Sequence, residues 1–112
     1  MQNRIRIDQL EPTSYKPMNG LEQYLADTDV ESSLRELIKL KASIINKCAY
    51  CIQMHTEQAR KAGETEQRLY AVAAWQESPL FTKKERAVLA LTEEVTLISE
   101  QGLSDETYAT CI

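Results

Sequence analysis

Two of the three cysteines and the sole histidine of this 112-residue chain fall within eight positions, in the segment Cys48-Ala49-Tyr50-Cys51-Ile52-Gln53-Met54-His55. On a helix each residue turns by about 100°, so Cys48, Cys51 and His55 share a sector of about 60°. Thiols three residues apart can close to a disulfide, and an imidazole one turn beyond Cys51 can take the proton of that thiol. The segment therefore predicts a redox pair, in which a peroxide-oxidised cysteine condenses with its neighbour.

Two other interpretations of the segment stay open. Cysteine is often buried, and Cys48, Ile52 and His55 also fit the inward face of an amphipathic helix. A zinc site is the second alternative, with Cys48, Cys51 and His55 as its clustered ligands. A fourth ligand would have to come from distant Cys111, so we favour the redox pair and expect neither a metal nor another cofactor.

Apolar residues recur at helical spacing along most of the chain, and this periodicity predicts an all-α protein. We expect an extended arm over Met1–Tyr15 and a short helix after Pro17. Longer helices are expected over about 30–47, 48–62 and 65–77. Thr82-Lys83-Lys84-Glu85 has the form of a capping box and predicts a helix that continues to Gln101-Gly102, and Ser104 can begin a last one.

The length and the lack of linkers or repeats predict a single domain over residues 1–112. We divide it into an N-terminal arm over about 1–29 and a core over about 30–99, and expect the C-terminal helix to be truncated at Ile112. Thirteen basic and 17 acidic residues give a net charge of −4, and no basic patch indicates nucleic-acid binding. No apolar run approaches the roughly 18 residues of a membrane span, and the start lacks a secretory signal, so we expect a cytoplasmic protein.

The residues around the cysteine motif resemble those of the alkyl hydroperoxidase D-like branch of the carboxymuconolactone decarboxylase superfamily. The resemblance covers about Val30–Ser99 and is carried by Leu34–Ser43, Asn46–Cys51, His55, Trp75, Ser78-Pro79, Phe81-Thr82, Glu85-Arg86-Ala87 and Leu91-Thr92-Glu93. It implies an all-helical bundle with a single motif unit. It also implies a homo-oligomer, either a trimer or a hexamer.

The same resemblance implies the roles of the site residues. Cys51 attacks the peroxide and Cys48 resolves the product, while Glu36, twelve residues before Cys48, completes a proton relay with His55. The chemistry of the residues agrees in part, because the imidazole favours Cys51 whereas the helix dipole favours Cys48. Ser33-Leu34-Arg35-Glu36 also has capping-box form, which would make Glu36 a helix starter only.

The function implied by the resemblance is thiol-dependent reduction of hydroperoxides, with a protein or small dithiol as reductant. One alternative is a non-catalytic oligomeric module that is redox-sensing or zinc-stabilised. Another is a lyase like the carboxymuconolactone decarboxylases, with His55 and Glu36 as acid and base. Decarboxylases of this family do not rely on a cysteine pair, so Cys48 and Cys51 argue against the lyase.

Overall fold

The computed structural model describes residues 4–112, and most of this range is helical. The elements are α1 (Ile7–Leu10), α2 (Pro12–Ala26), α3 (Ser32–Ile45), α4 (Ala49–Lys61), α5 (Glu66–Ala71), a 3-10 helix (Val72–Glu77), α6 (Lys83–Thr96), α7 (Ile98–Gln101) and α8 (Asp105–Cys111). These residues form no strand. The all-α prediction is therefore confirmed.

The N-terminal segment differs from the sequence prediction. The extended arm expected over Met1–Tyr15 is wrong from Ile7 onward, where the chain forms α1 and α2; Met1–Asn3 lie outside the described residues. Pro12 occupies the first turn of α2, where a missing N–H costs no helical hydrogen bond. Pro17 lies inside the same helix and removes only one such bond. The helix therefore tolerates a proline that, in the sequence, suggested a helix start.

A tight turn joins α3 to α4. Lys47 has φ of 55°, a left-handed conformation that usually favours glycine at this place after a helix. Its N–H donates to the Ile44 carbonyl at 3.1 Å, and the Cys48 N–H donates to the Ser43 carbonyl, also at 3.1 Å. These bonds satisfy the last carbonyls of α3 and place Cys48 immediately before α4. The predicted break near Asn46-Lys47 is confirmed.

The hydrophobic core lies where α3 packs against α4 and α6 and where the 3-10 helix contacts α3. Its buried members come from every element between α3 and α6: Leu37, Leu40, Ala59, Leu69, Val72, Trp75, Phe81 and Leu89. Ala59 is fully buried, so the small side chain lets α4 approach its neighbours closely. α2, in contrast, buries none of its residues.

The segment predicted as one helix over 65–77 is divided in two. Thr65 caps α5, which ends at Ala71, and the chain continues as a 3-10 helix with non-helical backbone angles at Ala74. Arg86 holds this irregular stretch because its guanidinium donates to the carbonyls of Trp75, Ser78 and Gln76. Such long-range bonds to carbonyls cannot be inferred from local spacing.

α6 begins with the predicted capping box. The Thr82 hydroxyl accepts from the Glu85 N–H at 3.1 Å, and the Glu85 carboxylate accepts from the Thr82 N–H at 2.8 Å. Burial alone would raise the pKa of Glu85, but hydrogen bonds from Arg68 and Thr82 outweigh it and hold that pKa below its usual value. The helix ends at Thr96, earlier than predicted, because the backbone leaves helical geometry at Leu97 before α7.

An ion pair between a buried lysine and a partly exposed glutamate connects α3 to α6. Lys41 is 4% exposed, and its Nζ lies 2.9 Å from Glu93 Oε1. The same carboxylate oxygen accepts from the Trp75 indole N–H at 2.9 Å. One carboxylate therefore satisfies both a buried ammonium and a buried indole, which links three elements of the core.

Removal of the Glu93 carboxylate should be strongly destabilising. Glu93→Ala leaves the Lys41 ammonium buried without a counter-charge, and we expect a loss of about 3 kcal/mol in the free energy of unfolding, measured by urea denaturation. The double variant Lys41→Met/Glu93→Leu removes both charges and should recover most of that loss. Equal destabilisation by the single and the double variant would contradict this account.

Candidate active site

The predicted cysteine pair lies at the start of α4. Cys48 is the N-cap residue, and its Sγ accepts from the Cys51 N–H at 3.3 Å. The two cysteines form a disulfide with a Cα–Cα distance of 5.3 Å. Both residues are half-buried, so the bond is sheltered yet accessible from solvent. The structure therefore brings the two thiols together as the spacing predicted.

His55 and Glu36 are also brought together, across the contact between α4 and α3. His55 Nδ1 lies 2.9 Å from Glu36 Oε2, and each side chain is 13% exposed. An ionised carboxylate carries no hydrogen, so Nδ1 donates and Nε2 of a neutral imidazole is left to accept a proton. Glu36 thus orients the ring and favours one tautomer.

The competing assignment of Glu36 as a helix starter is wrong. α3 begins at Ser32 with Glu31 as the N-cap residue, and no side chain caps it. The predicted Ser33 box therefore does not cap this helix. Glu36 lies one turn inside α3, where its carboxylate is bonded to His55.

The disulfide and the imidazole open onto one cleft of about 550 Å³. Its walls come from α2, α3, α4 and the turn between the last two: Glu22, Lys39, Ala42, Ser43, Asn46, Cys48, Cys51, Met54, His55 and Gln58. This volume lies in the range of small-molecule sites. Glu36 lines a neighbouring depression of about 250 Å³ instead, so it contacts His55 from outside the cleft.

Sequence reasoning missed two charged residues of this cleft. Lys39 lies on α3 and its Nζ is 3.0 Å from the Glu22 Oε2 on α2. The sequence did contain a signal for Lys39. On a helix, Glu36, Lys39 and Ser43 fall within a sector of about 60°, so Lys39 lies on the same face as Glu36. No such signal existed for Glu22, because only the tertiary structure lays α2 beside α3.

Three further predictions concern the third cysteine, a metal site and a membrane span. Cys111 is a free, exposed cysteine whose Sγ lies 3.3 Å from the Ala87 carbonyl, away from the cleft. Within residues 4–112, no three His, Cys, Asp or Glu side chains are grouped to hold a metal ion. Over the same residues, no helix is both long and apolar enough to span a bilayer.

The sequence of this chain matches the model of a known family. The chain belongs to the carboxymuconolactone decarboxylase family, whose model matches residues 12–94. This confirms the resemblance found from the residues, and it extends the match toward the N-terminus to include α2.

Two known proteins are similar to this chain over nearly its whole length. The uncharacterized protein YdfG of Bacillus subtilis (strain 168) is 42% identical over 108 residues, which are 96% of this chain and 74% of YdfG. A crystal structure from Agrobacterium tumefaciens is similar with a TM-score of 0.94 and 38% identity, over 98% of this chain and 75% of that one. That protein is of unknown function and is provisionally named the antioxidant defence protein AhpD.

The pairing of the sulfurs predicts a defined thiol count. Protein purified without reductant and then denatured should titrate one thiol per chain, that of Cys111, and three after treatment with excess dithiol. The variant Cys111→Ser should give none before reduction and two after it. Two or more thiols in the unreduced wild-type protein after exposure to air would contradict a readily closed Cys48–Cys51 pair.

Proposed function

We propose that this protein is a thiol-dependent peroxidase that reduces hydroperoxides through Cys48 and Cys51. The observation that carries the proposal is the cysteine pair at a helix start, in one cleft with a histidine that is bonded to Glu36 at 2.9 Å. Membership of the family and the AhpD name of the similar crystal structure are consistent with an antioxidant role.

The chemistry begins with the reduced pair. His55 takes the proton of the Cys51 thiol, and the thiolate attacks one oxygen of the peroxide. The O–O bond breaks, the alcohol leaves after it receives a proton, and Cys51 becomes a sulfenic acid. Cys48 then attacks the Cys51 sulfur, the S–S bond forms, and hydroxide leaves as water. Two thiols thus supply the two electrons that reduce one hydroperoxide to one alcohol and one water.

The two cysteines are activated by different groups in this scheme. Cys51 is one helical turn from His55 and lines the same cleft. Cys48 precedes α4, where the Cys51 N–H donates to its sulfur and the helix N-terminus favours a thiolate. The imidazole therefore serves the attacking sulfur and the helix start serves the resolving one, so the two physical arguments apply to successive steps.

The cycle closes when an external dithiol reduces the disulfide. One thiolate of a protein or small dithiol attacks the pair, a mixed disulfide forms, and the second thiol of the reductant releases both cysteines. The reductant leaves as a disulfide. We place this exchange in the cytoplasm, where dithiols are kept reduced.

Cysteine variants test the proposal directly. Reduced protein should lose two thiols with one equivalent of cumene hydroperoxide and regain them with dithiothreitol. Cys51→Ser should abolish turnover, whereas Cys48→Ser should still react once and accumulate a sulfenic acid that dimedone traps.

Glu36→Gln should slow the reaction by about 10- to 100-fold and change its pH profile, because it acts through His55.

Cys111→Ser is the matched control and should leave the rate unchanged. An unchanged thiol count after peroxide would overturn the proposal, and equal behaviour of the two cysteine variants would overturn the assignment of roles.

In the lyase alternative His55 and Glu36 act alone, so activity on a lactone acid would survive replacement of both cysteines by serine.

We further propose that the chain is a homo-oligomer, a trimer or a hexamer, that covers exposed apolar side chains of α2. Met18, Leu21 and Leu25 follow helical spacing and are 61%, 62% and 46% exposed. Light scattering should then give three or six times the chain mass of 12.8 kDa. The variant Met18→Glu/Leu21→Glu should lower this mass, with helicity kept by circular dichroism as the control. A monomeric wild-type protein would contradict the proposal.

A further inference from the structure

The cleft is lined by a positively charged side chain that the proposed chemistry does not use. Among the lining residues, Lys39 is the only lysine or arginine, and it shares the cleft with both cysteines and His55. Its side chain is 30% exposed, and its ammonium pairs with Glu22, which also lines the cleft. Lys39 is therefore placed to bind an anionic group of whatever molecule enters.

The present partner of Lys39 is easily replaced. The Glu22 side chain is 60% exposed, and it comes from α2, a helix with no buried residue. Exposed ion pairs of this kind add little stability, so another carboxylate can take the place of Glu22 at small cost. α2 need not detach in the exchange, because the Arg35 guanidinium separately donates to the Leu25 carbonyl at 2.7 Å.

The rest of the cleft suits a ligand with a short apolar chain. Ala42 and Met54 add apolar walls, and Asn46 and Gln58 bring amide groups. The disulfide lies in the same space as Lys39, and the volume of about 550 Å³ accommodates a small molecule. A ligand that placed a carboxylate on Lys39 could therefore extend its chain over the apolar walls toward Cys51.

We propose that Lys39 is a specificity-determining residue, which binds the carboxylate of an alkyl hydroperoxide acid in place of Glu22 and so directs the peroxide end to Cys51. The inference rests on the proposed peroxidase function and narrows its substrate class. Anionic hydroperoxides with an apolar chain are then preferred over neutral ones, and Glu22 is a competitor for the same ammonium.

A matched pair of substrates tests the preference. With dithiothreitol as reductant, the kinetics of a straight-chain hydroperoxide acid are compared with those of its methyl ester. Lys39→Gln should raise KM for the acid about tenfold with kcat unchanged, and should leave the ester unaffected. Glu22→Gln should lower KM for the acid, and Lys39→Arg should retain the preference. Lys61→Gln, an exposed lysine outside the cleft, controls for the change in net charge.

A binding measurement separates this inference from the peroxidase proposal. Calorimetry on the disulfide form should detect binding of octanoate but not of octanol. Lys39→Gln should weaken the binding of octanoate about tenfold. If the protein consumes no peroxide yet binds octanoate through Lys39, the peroxidase proposal fails and the carboxylate site stands. If octanoate does not bind, or if Lys39→Gln affects acid and ester equally, the inference about Lys39 is wrong.

Discussion

The close packing of α3 against α4 is the constraint on which the rest of the structure depends. Leu37 and Leu40 of α3 are buried with Ala59 of α4, and the small alanine allows the two helices to approach. The same approach lets Glu36 and His55 meet at 2.9 Å beside the core. Burial of apolar surface therefore positions the His55 imidazole, and the short turn at Lys47 places the cysteines on the same side.

α3 distributes its charges between two environments. Lys41 is buried and pairs with Glu93, whose carboxylate also accepts from the Trp75 indole, so this pair contributes to stability only as a unit. Lys39, two residues earlier, reaches the cleft and meets a carboxylate from an exposed helix. The Lys41 ammonium is almost fully buried and depends on its one carboxylate, whereas water reaches both Lys39 and Glu22, so the second pair is the more easily exchanged. The same residue type thus serves the core in one position and lines the candidate cleft in the other.

Much of the fold was predictable where local signals and tertiary packing agree. The apolar stripe of α3, the capping box at Thr82 and Glu85, and the cysteine motif at a helix start all appear as expected. Two predictions failed for different reasons. α2 passes through Pro17 because the proline removes only one hydrogen bond of the helix. The stretch after Ala71 tightens to a 3-10 helix whose carbonyls are satisfied by the distant Arg86, a contact that local spacing does not indicate.

The sequence by itself placed Cys51 and His55 on one face of a helix, because their four-residue spacing is about one helical turn. Cys48 precedes that helix with extended backbone angles, so its approach to Cys51 depends on the geometry of the helix start. The sequence also left Glu36 with two possible roles, as a cap or as a partner of the imidazole. Only the tertiary structure decided between them, since a hydrogen bond across 19 residues of chain depends on how α3 and α4 pack. It alone also brought Glu22 to Lys39, because side chains from different helices meet only once the helices are packed.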